Sequence, residues 1–324
     1  MDPQVASYSA KPVEPISIVY IGVGGGGCNT VNGMIERGIQ GVKFMAVDTD
    51  IRVLEANKAE VKLQIGSGIT EGRSTGGVPE TGEEAALESK ELIAKALKGV
   101  DMVFITACMG YGTGTGAAPI IAEIAKNQGA LTVGFATKPL KSLKSKRMEQ
   151  AVYGIIKFKK VVDILTVIQS QELFNYMDPN TGIRLASHEV DDIICRRVES
   201  ILNCINKTGY INIDFADTIA VIKDQGESRM AIGYGVGKNR VKEAVSSLLV
   251  NPLLEGVSIK YAAKVFIYVA GSEEIPILEY DDVAKQIIAE MDIGALIKTG
   301  LYIDTSLNDA IRVMVIAADF KNEI

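Results

Sequence analysis

The stretch Met109-Gly-Tyr-Gly-Thr-Gly-Thr-Gly116 follows a short apolar run and precedes a segment with a helical pattern of apolar residues. Glycines allow backbone N–H groups to approach an anion closely, and the N-terminus of a helix adds partial positive charge. A second stretch, Ile21-Gly-Val-Gly-Gly-Gly-Gly-Cys-Asn29, lies at the same kind of junction. Two such loops predict one phosphate site that is held from two sides.

The glycines of the chain are concentrated near these loops. The sequence has 32 glycines in 324 residues, and fifteen of them fall in the three stretches 22–27, 66–82 and 110–116. The middle stretch contains Gly76-Gly77-Val78-Pro79, whose backbone amides are a third candidate for contact with a phosphate. The excess of glycine therefore indicates a local binding feature and not general flexibility.

Short apolar runs alternate with helical patterns between residues 16 and 168, which predicts a mostly parallel sheet covered by helices. A long amphipathic helix is predicted over 185–207, about 33 Å in length. Strands and helices after Asp217 predict a smaller, second α/β domain. The predicted boundaries are a flexible tail at 1–15, a nucleotide-binding domain at 16–184, the helix at 185–207 and the second domain at 208–320.

Composition excludes several classes of chemistry. The net charge of −6 argues against binding of a nucleic-acid backbone, and a single histidine, His188, excludes a multi-histidine zinc site. The four cysteines form no C-x-x-C pair, so we expect reduced thiols and no metal held by protein side chains. No signal peptide or membrane span is recognised, and we expect a cytoplasmic protein that does not insert into membranes.

The first loop also satisfies the dinucleotide-binding pattern G-x-G-x-x-G through Gly22, Gly24 and Gly27, with Asp48 about 20 residues further on. A dinucleotide oxidoreductase is therefore an alternative. A second, longer glycine loop argues against it, because a dinucleotide fold needs one pyrophosphate loop. The sequence contains no G-x-x-x-x-G-K-[ST] motif, so a P-loop enzyme is not predicted.

Residues 110–116 resemble the G-G-G-T-G-T-G signature of the tubulin/FtsZ family of polymerising GTPases. The surrounding segments IGVGGGG, ALKGVDMVFITA and AAPIIAEIAK are also similar to the FtsZ branch, and the resemblance extends over about 16–320. It implies a Rossmann-like GTPase domain, a long central helix and a smaller C-terminal α/β domain. It also implies GTP or GDP as ligand, together with Mg²⁺.

The resemblance further implies the residues that bind the nucleotide. Arg147 would reach the ribose-phosphate region, and Asp192 would accept hydrogen bonds from guanine, whose N1–H and N2–H₂ groups are donors. The residues implied to contact the phosphates, with Asn29 also reaching the base, are Gly25, Gly26, Gly27, Cys28, Asn29, Gly76, Gly77, Gly112, Thr113, Gly114 and Thr115.

A third motif, Asn212-Ile-Asp-Phe-Ala-Asp217, follows the long helix and supplies the implied catalytic residues Asn212, Asp214 and Asp217. In the family's arrangement the base lies near the start of the helix, so these side chains cannot reach the nucleotide of their own chain. The resemblance implies that they act on the next subunit of a head-to-tail filament, in which an FtsZ-like sister protein is a further candidate partner. Cell division is the implied process, with the division site as the place of assembly. A filament scaffold with little GTP turnover is the alternative.

Several positions depart from the family's pattern. Leu143 stands where an acidic residue usually contacts the ribose, and Ser187 where an aromatic usually packs on the base, with His188 as a candidate substitute. Tyr111 replaces a glycine of the signature, and Val78 replaces an asparagine. These changes leave base specificity and turnover rate open. Because no linker and tail follow IRVMVIAAD, we expect no tail for membrane adaptors, as in a divergent or auxiliary paralogue.

Overall fold

The computed structural model describes residues 16–140, 145–171, 177–178, 180–206, 211, 223, 226–250, 259–291 and 294–320. Ten strands lie in one sheet: β1 Ile18–Val23, β2 Lys43–Asp48, β3 Val61–Gln64, β4 Met102–Cys108, β5 Leu131–Lys138, β6 Ile164–Gln169, β7 Gly226–Val236, β8 Ala262–Gly271, β9 Leu296–Ile303 and β10 Ala310–Phe320.

Ten α-helices are described in the same ranges: α1 Gly24–Glu36, α2 Ile51–Ala56, α3 Ser67–Thr70, α4 Pro79–Glu88, α5 Lys90–Ala96, α6 Gly112–Asn127, α7 Ser145–Val161, α8 Ile183–Asn206, α9 Arg240–Leu249 and α10 Ile277–Ala289. The helices α1, α6 and α8 position the site described below.

The strand order β3-β2-β1-β4-β5-β6 is that of a doubly wound dinucleotide-type fold, and every pair within it is parallel. The chain order reverses between β1 and β4. In open sheets of this kind ligands bind outside the carboxyl ends of the strands at this point. Both glycine-rich loops follow these two strands, so the topology brings them together.

The C-terminal strands continue the sheet in the order β7-β10-β8-β9. Strand β10 pairs antiparallel with β7 and β8, whereas β7 meets β6 through only two residue pairs. The predicted α/β class, with a parallel-sheet domain, a long helix and a smaller second domain, is confirmed.

Helix α8 connects the two halves of the sheet through its buried face. One apolar cluster contains α8 residues, the core of β1 and β4, and Met230, Phe266 and Met314 of the C-terminal strands. The α8 residues in this cluster are Val190, Ile194, Cys195, Val198, Ile201 and Leu202. A movement of α8 would therefore disturb packing in both halves.

Two strands were not anticipated from the sequence. Strand β7 contains Gly233 and Gly235, where a Cβ would lie 2.0 Å from the Ala244 and Arg240 carbonyl oxygens of α9. Glycine is needed there because the helix lies directly on the strand, but it weakens the sequence signal for β structure. Strand β9 lies at the sheet edge and carries Lys298 and Gly300. The strand predicted over TIAVIK lies outside the described residues except for Lys223.

Candidate functional site

A cleft of about 460 Å³ lies at the carboxyl ends of β1 and β4. It brings together six of the residues predicted from the sequence to contact phosphate: Gly25, Gly26, Gly77, Gly112, Thr113 and Gly114. The lining also includes residues that were not predicted as ligands: Val23, Gly24, Asp48, Asp50, Val53, Ser74, Thr75, Cys108 and Tyr111.

Two helix N-termini open into this cleft. Helix α1 begins at Gly24 after Val23, and α6 begins at Gly112 after Tyr111. Neither helix has a side-chain cap, and neither has an acidic residue in its first turn. In the part of the chain that the structure describes, no cap side chain accepts from the first N–H groups of either helix, and the partial positive charges of the two helix ends converge on one space. This arrangement suits a polyanion.

The glycines of the first loop differ in their surroundings: Gly24 and Gly26 lie against neighbouring protein atoms, whereas Gly25 faces open space. At Gly26 a Cβ would lie 2.2 Å from the Cys108 sulfur, so the packing of α1 on β4 requires a bare backbone. Gly24 has a φ of +73°, and its Cβ would lie 2.8 Å from the Gly114 nitrogen. Gly25, in contrast, is exposed and has no protein atom within 4 Å of a Cβ. Protein packing does not explain a glycine there, but close approach by a ligand does.

The third loop, residues 71–78, contributes Ser74, Thr75 and Gly77 to the cleft. Gly76 and Gly77 have φ values of +64° and +80°, the left-handed region that glycine adopts without strain. Gly76 is exposed beside the cleft but is not among the residues that line it. Gln150 of α7 donates a hydrogen bond to the Gly77 carbonyl at 3.4 Å, which ties this loop to α7.

Arg147, in the first turn of α7, stacks on a residue of the cleft. Its guanidinium carbon lies 4.7 Å from the centre of the Tyr111 ring, and its Nη1 donates to the Tyr111 hydroxyl at 3.4 Å. The side chain is exposed. Arg147, which was predicted to reach the ribose and phosphates of the nucleotide, thus lies beside the loop 110–116.

Four predicted residues lie beside the cleft in other environments. Gly27 faces β4, where a Cβ would lie 2.4 Å from the Thr106 carbonyl oxygen. The Cys28 side chain is buried in the apolar core, and burial raises its pKa to about 12. The Thr115 hydroxyl accepts the Gly110 N–H at 2.9 Å. Asn29 is exposed on α1 but does not line the cleft. Gly27, Cys28 and Thr115 thus pack or form hydrogen bonds within the protein, and Asn29 lies outside the cleft lining.

The structure places Asp192 beside Arg37, so its predicted contact with guanine stays a prediction. Its carboxylate forms an ion pair with Arg37, beyond the C-terminus of α1, and lies 4.0 Å from Arg196. Asp191 instead accepts a hydrogen bond from Thr30 of α1 at 2.6 Å. Burial raises the pKa of Asp191, while the Thr30 hydrogen bond and the charges of His188 and Arg37 oppose the rise. Adjacent helix positions point about 100° apart, so Asp191 and Asp192 contact different residues although they are neighbours in the sequence.

Two acidic residues of the cleft were not predicted as ligands for a nucleoside triphosphate. Asp48, at the end of β2, accepts the backbone N–H groups of Thr49 and Asp50 at 2.7 and 3.2 Å. Burial raises the pKa of Asp48. Asp50 caps α2 and pairs with Arg52, which lowers the pKa of Asp50. The position of both at the carboxyl end of a parallel strand is the sequence signal that could have identified them.

The predicted catalytic residues Asn212, Asp214 and Asp217 lie outside the described residues, as does Leu143. Helix α8, which precedes the catalytic motif, has 24 residues and is roughly 36 Å long. His188 is exposed on α8.

No group of three or more His, Cys, Asp or Glu side chains that could hold a metal ion occurs within the described ranges. None of the helices in those ranges is both long and apolar enough to cross a membrane.

Comparisons with known proteins agree with the fold. Residues 17–178 match the model of the "Tubulin/FtsZ family, GTPase domain", and residues 226–321 match that of the "FtsZ family, C-terminal domain". The chain is similar to an FtsZ dimer from M. jannaschii with 39% identity and a TM-score of 0.86, covering 94% of this chain and 88% of the other.

Two more distant structures share the fold. A GDP-bound CetZ1 monomer from Haloferax volcanii is 19% identical with a TM-score of 0.81, and 95% of each chain is covered. A GTPγS-bound CetZ2 protofilament from the same organism is 16% identical with a TM-score of 0.79, covering 95% of this chain and 94% of the other. Because both family models match and the chain is 39% identical to the M. jannaschii FtsZ over most of its length, it belongs to the tubulin/FtsZ family.

Proposed function

We propose that this protein binds GTP and GDP in the cleft between β1 and β4, assembles head to tail into filaments and hydrolyses GTP between subunits. The observation that carries the proposal is the convergence of two uncapped, glycine-rich helix N-termini on one cleft. Such a pair of positive helix ends suits a chain of phosphates better than a single anion. Gly25 is exposed and has open space where a Cβ would lie, which supports close approach of a phosphate at α1.

We assign recognition of guanine to Asp191 in place of Asp192. One Asp191 oxygen accepts from Thr30, whose hydroxyl also lies 3.3 Å from the Gly26 carbonyl oxygen. The other oxygen is an acceptor of the kind that the N1–H and N2–H₂ donors of guanine require. Adenine has no matching pair of donors, so a carboxylate at this position favours guanine.

Assembly is part of the proposal because of where Asn212, Asp214 and Asp217 lie in the chain. They follow the C-terminal end of α8, whereas Thr30 and Asp191 meet near its N-terminal half. Because α8 is roughly 36 Å long, we propose that the motif acts away from the cleft of its own chain and that its carboxylates orient water in the cleft of the next subunit. A contact between unlike surfaces does not close and builds a filament.

We propose further that Mg²⁺ accompanies the nucleotide, held by phosphate oxygens with help from the acidic residues of the cleft. Asp48 and Asp50 supply carboxylates in the lining. We also propose that the protein acts in the cytoplasm and that it assembles at the division site during cell division. Filament partners are further copies of this chain or a related sister protein.

The proposal is tested by sedimentation and phosphate release over a range of protein concentrations with GTP and Mg²⁺. We expect phosphate release to begin above a threshold concentration at which a pellet also appears. Asp214→Ala should retain nucleotide binding and assembly but lose most phosphate release, whereas Glu60→Gln, at an exposed position before β3, should behave like the unsubstituted chain. Release proportional to concentration, without a threshold or pellet, would contradict hydrolysis coupled to assembly.

The scaffold alternative predicts a different result in the same experiment. Full sedimentation with negligible phosphate release, unchanged by Asp214→Ala, would support a nucleotide-binding scaffold. Localisation of a fluorescently tagged chain in dividing cells tests the division-site proposal separately.

A further inference from the structure

Tyr111 occupies the mouth of the cleft in a way that packing does not require. It precedes the first residue of α6, lines the cleft and leaves 43% of its surface exposed. A large aromatic with this exposure contributes little to the core of the protein. Its ring and hydroxyl are instead available to a ligand or to a neighbouring side chain.

The loop that carries Tyr111 and the start of α7 are in contact at the level of the backbone. Gly110 has a φ of +91°, and a Cβ there would lie 2.6 Å from the Arg147 carbonyl oxygen. The Gly110 N–H is held by the Thr115 hydroxyl at 2.9 Å. The backbones of Gly110 and Arg147 are thus in direct contact. This contact brings the side chains of Tyr111 and Arg147 within reach of each other.

Arg147 uses this proximity to stack on the ring. The guanidinium carbon is 4.7 Å from the ring centre, and Nη1 donates to the hydroxyl at 3.4 Å. A guanidinium has five N–H donors around its edge, and stacking occupies its face. Among the residues that the structure describes, the Tyr111 hydroxyl accepts from one of these donors, which leaves the other four for an anion. Stacking lowers the freedom of a long, exposed side chain without using the groups that would bind phosphate.

We propose that Tyr111 is a positioning residue that holds the Arg147 guanidinium at the phosphate end of the nucleotide cleft. The inference rests on the proposed function, since it takes a guanine nucleotide as the ligand. Tyr111 acts through Arg147 and strengthens binding by preorganisation: the cation is in place before the nucleotide arrives. A glycine at residue 111, as in the family's signature, has no side chain on which the Arg147 guanidinium could stack.

The test is a double-substitution cycle with the full chain, in which calorimetric titration measures the affinity for GDP. Tyr111→Leu keeps an apolar side chain but removes the aromatic face, and we expect about fivefold weaker binding, as for loss of an exposed cation–π contact. Tyr111→Phe keeps the face and should remain within about twofold. In an Arg147→Ala background, Tyr111→Leu should have no further effect.

Two variants make the result specific. Tyr153→Leu removes a similar contact on α7, where Lys157 lies 4.8 Å from the ring centre outside the cleft, and should not change GDP affinity. Arg147→Lys keeps the charge but not the planar stack, and should reproduce much of the loss seen for Tyr111→Leu.

Equal effects of Tyr111→Leu in both backgrounds would overturn the inference, because a purely structural role would not depend on Arg147. Unchanged affinity of Tyr111→Leu in the unsubstituted background would also overturn it. If the unsubstituted chain bound neither GDP nor GTP, the proposed function itself would fail. Thermal melting of each variant identifies any that does not fold, and Arg147→Lys then provides the comparison in place of Tyr111→Leu.

Discussion

At the scale of single residues, neighbouring positions of one motif have different physical roles. Gly25 and Gly26 are adjacent in the first turn of α1, yet only Gly26 is constrained by packing on Cys108. Asp191 and Asp192 are adjacent on α8, yet one meets Thr30 and the other meets Arg37. Each pair offers a substitution and its matched control one residue apart.

Gly25→Ala and Gly26→Ala should separate ligand binding from stability. At Gly26 the added methyl would collide with the Cys108 sulfur, so we expect a loss of about 1–3 kcal/mol in the free energy of unfolding. At Gly25 the methyl enters open space in a helical backbone, so stability should be unchanged or rise by up to about 1 kcal/mol. The GDP affinity of Gly25→Ala should nevertheless fall, because the methyl would occupy space that we propose for a phosphate. Chemical denaturation and calorimetric titration measure the two effects; unchanged GDP affinity for Gly25→Ala would contradict a phosphate at this amide.

Asp191→Asn should weaken discrimination between guanine and hypoxanthine, which lacks the N2 amine. Hydrogen bonds to a charged group contribute about 1.5–3 kcal/mol, so the preference for GDP over IDP should decrease by about tenfold or more. Asp192→Asn is the control and should keep the preference, since Asp192 pairs with Arg37. Competition binding with GDP and IDP measures both. The reverse pattern would restore the assignment of guanine to Asp192.

The same residue predicts a pH dependence of binding. Burial raises the pKa of Asp191, and only the ionised carboxylate accepts both donors of guanine. GDP affinity should therefore fall as the pH decreases through this raised pKa, at a higher pH than an ordinary aspartate would allow. Titrations from pH 7 downward check the sign. In Asp191→Asn this part of the pH dependence should disappear.

At the scale of elements, α8 carries an unusual charge into the core. Arg197 is buried, and its guanidinium donates to the Ile193 and Met230 carbonyl oxygens at 3.2 and 3.0 Å. Its Nε has no hydrogen-bond partner within the described part of the chain. Burial lowers the pKa of Arg197 to about 9. The link between α8 and β7 therefore includes a cation whose desolvation opposes folding.

Replacement of Arg197 by methionine should reveal this cost as a pH-dependent difference in stability. Above about pH 9 the unfolded chain still holds the Arg197 proton while the folded chain loses it, so the unsubstituted protein gains stability as the pH rises. Its free energy of unfolding should increase relative to Arg197→Met by about 1.4 kcal/mol per pH unit above about pH 9. Denaturation of both proteins from pH 7 to 10.5 measures the difference. A difference that stays constant over this range would show that the guanidinium keeps its proton in the folded protein up to pH 10.5 and would contradict the lowered pKa.

At the scale of the whole molecule, the proposed active site is shared between subunits, and mixing experiments can detect this. Asp214→Ala subunits keep the cleft and lose the catalytic carboxylate, whereas Arg147→Glu subunits weaken the cleft and keep the carboxylate. In an equal mixture, roughly a quarter of head-to-tail interfaces would combine the intact parts of both. Phosphate release from the mixture should exceed that of either variant alone. If the carboxylates acted within their own chain, the mixture would show only the mean of the two rates.

Much of the architecture was predictable because its signals are local. The apolar runs that became β1, β4, β5 and β6 are mostly buried and contain several β-branched residues, and the glycine loops occur directly after β1 and β4. Strand β7 was missed because its glycines, which contact α9, weaken the local β pattern. Strand β9 was missed because it lies at the sheet edge, where alternation of apolar residues is weaker. The domain boundaries and the roles of Asn212, Asp214 and Asp217 remain predictions.

The sequence by itself determined the α/β class, the long helix and the loops at which an anion could bind, because periodicity and glycine placement act over a few residues. Only the tertiary structure decided which side chains meet. It paired Tyr111 with Arg147, placed Asp191 against Thr30 and Asp192 against Arg37, and packed Gly26 but not Gly25 against Cys108. These outcomes depend on contacts between residues far apart in the chain, and on helix rotations of about 100° per residue that composition and spacing do not specify.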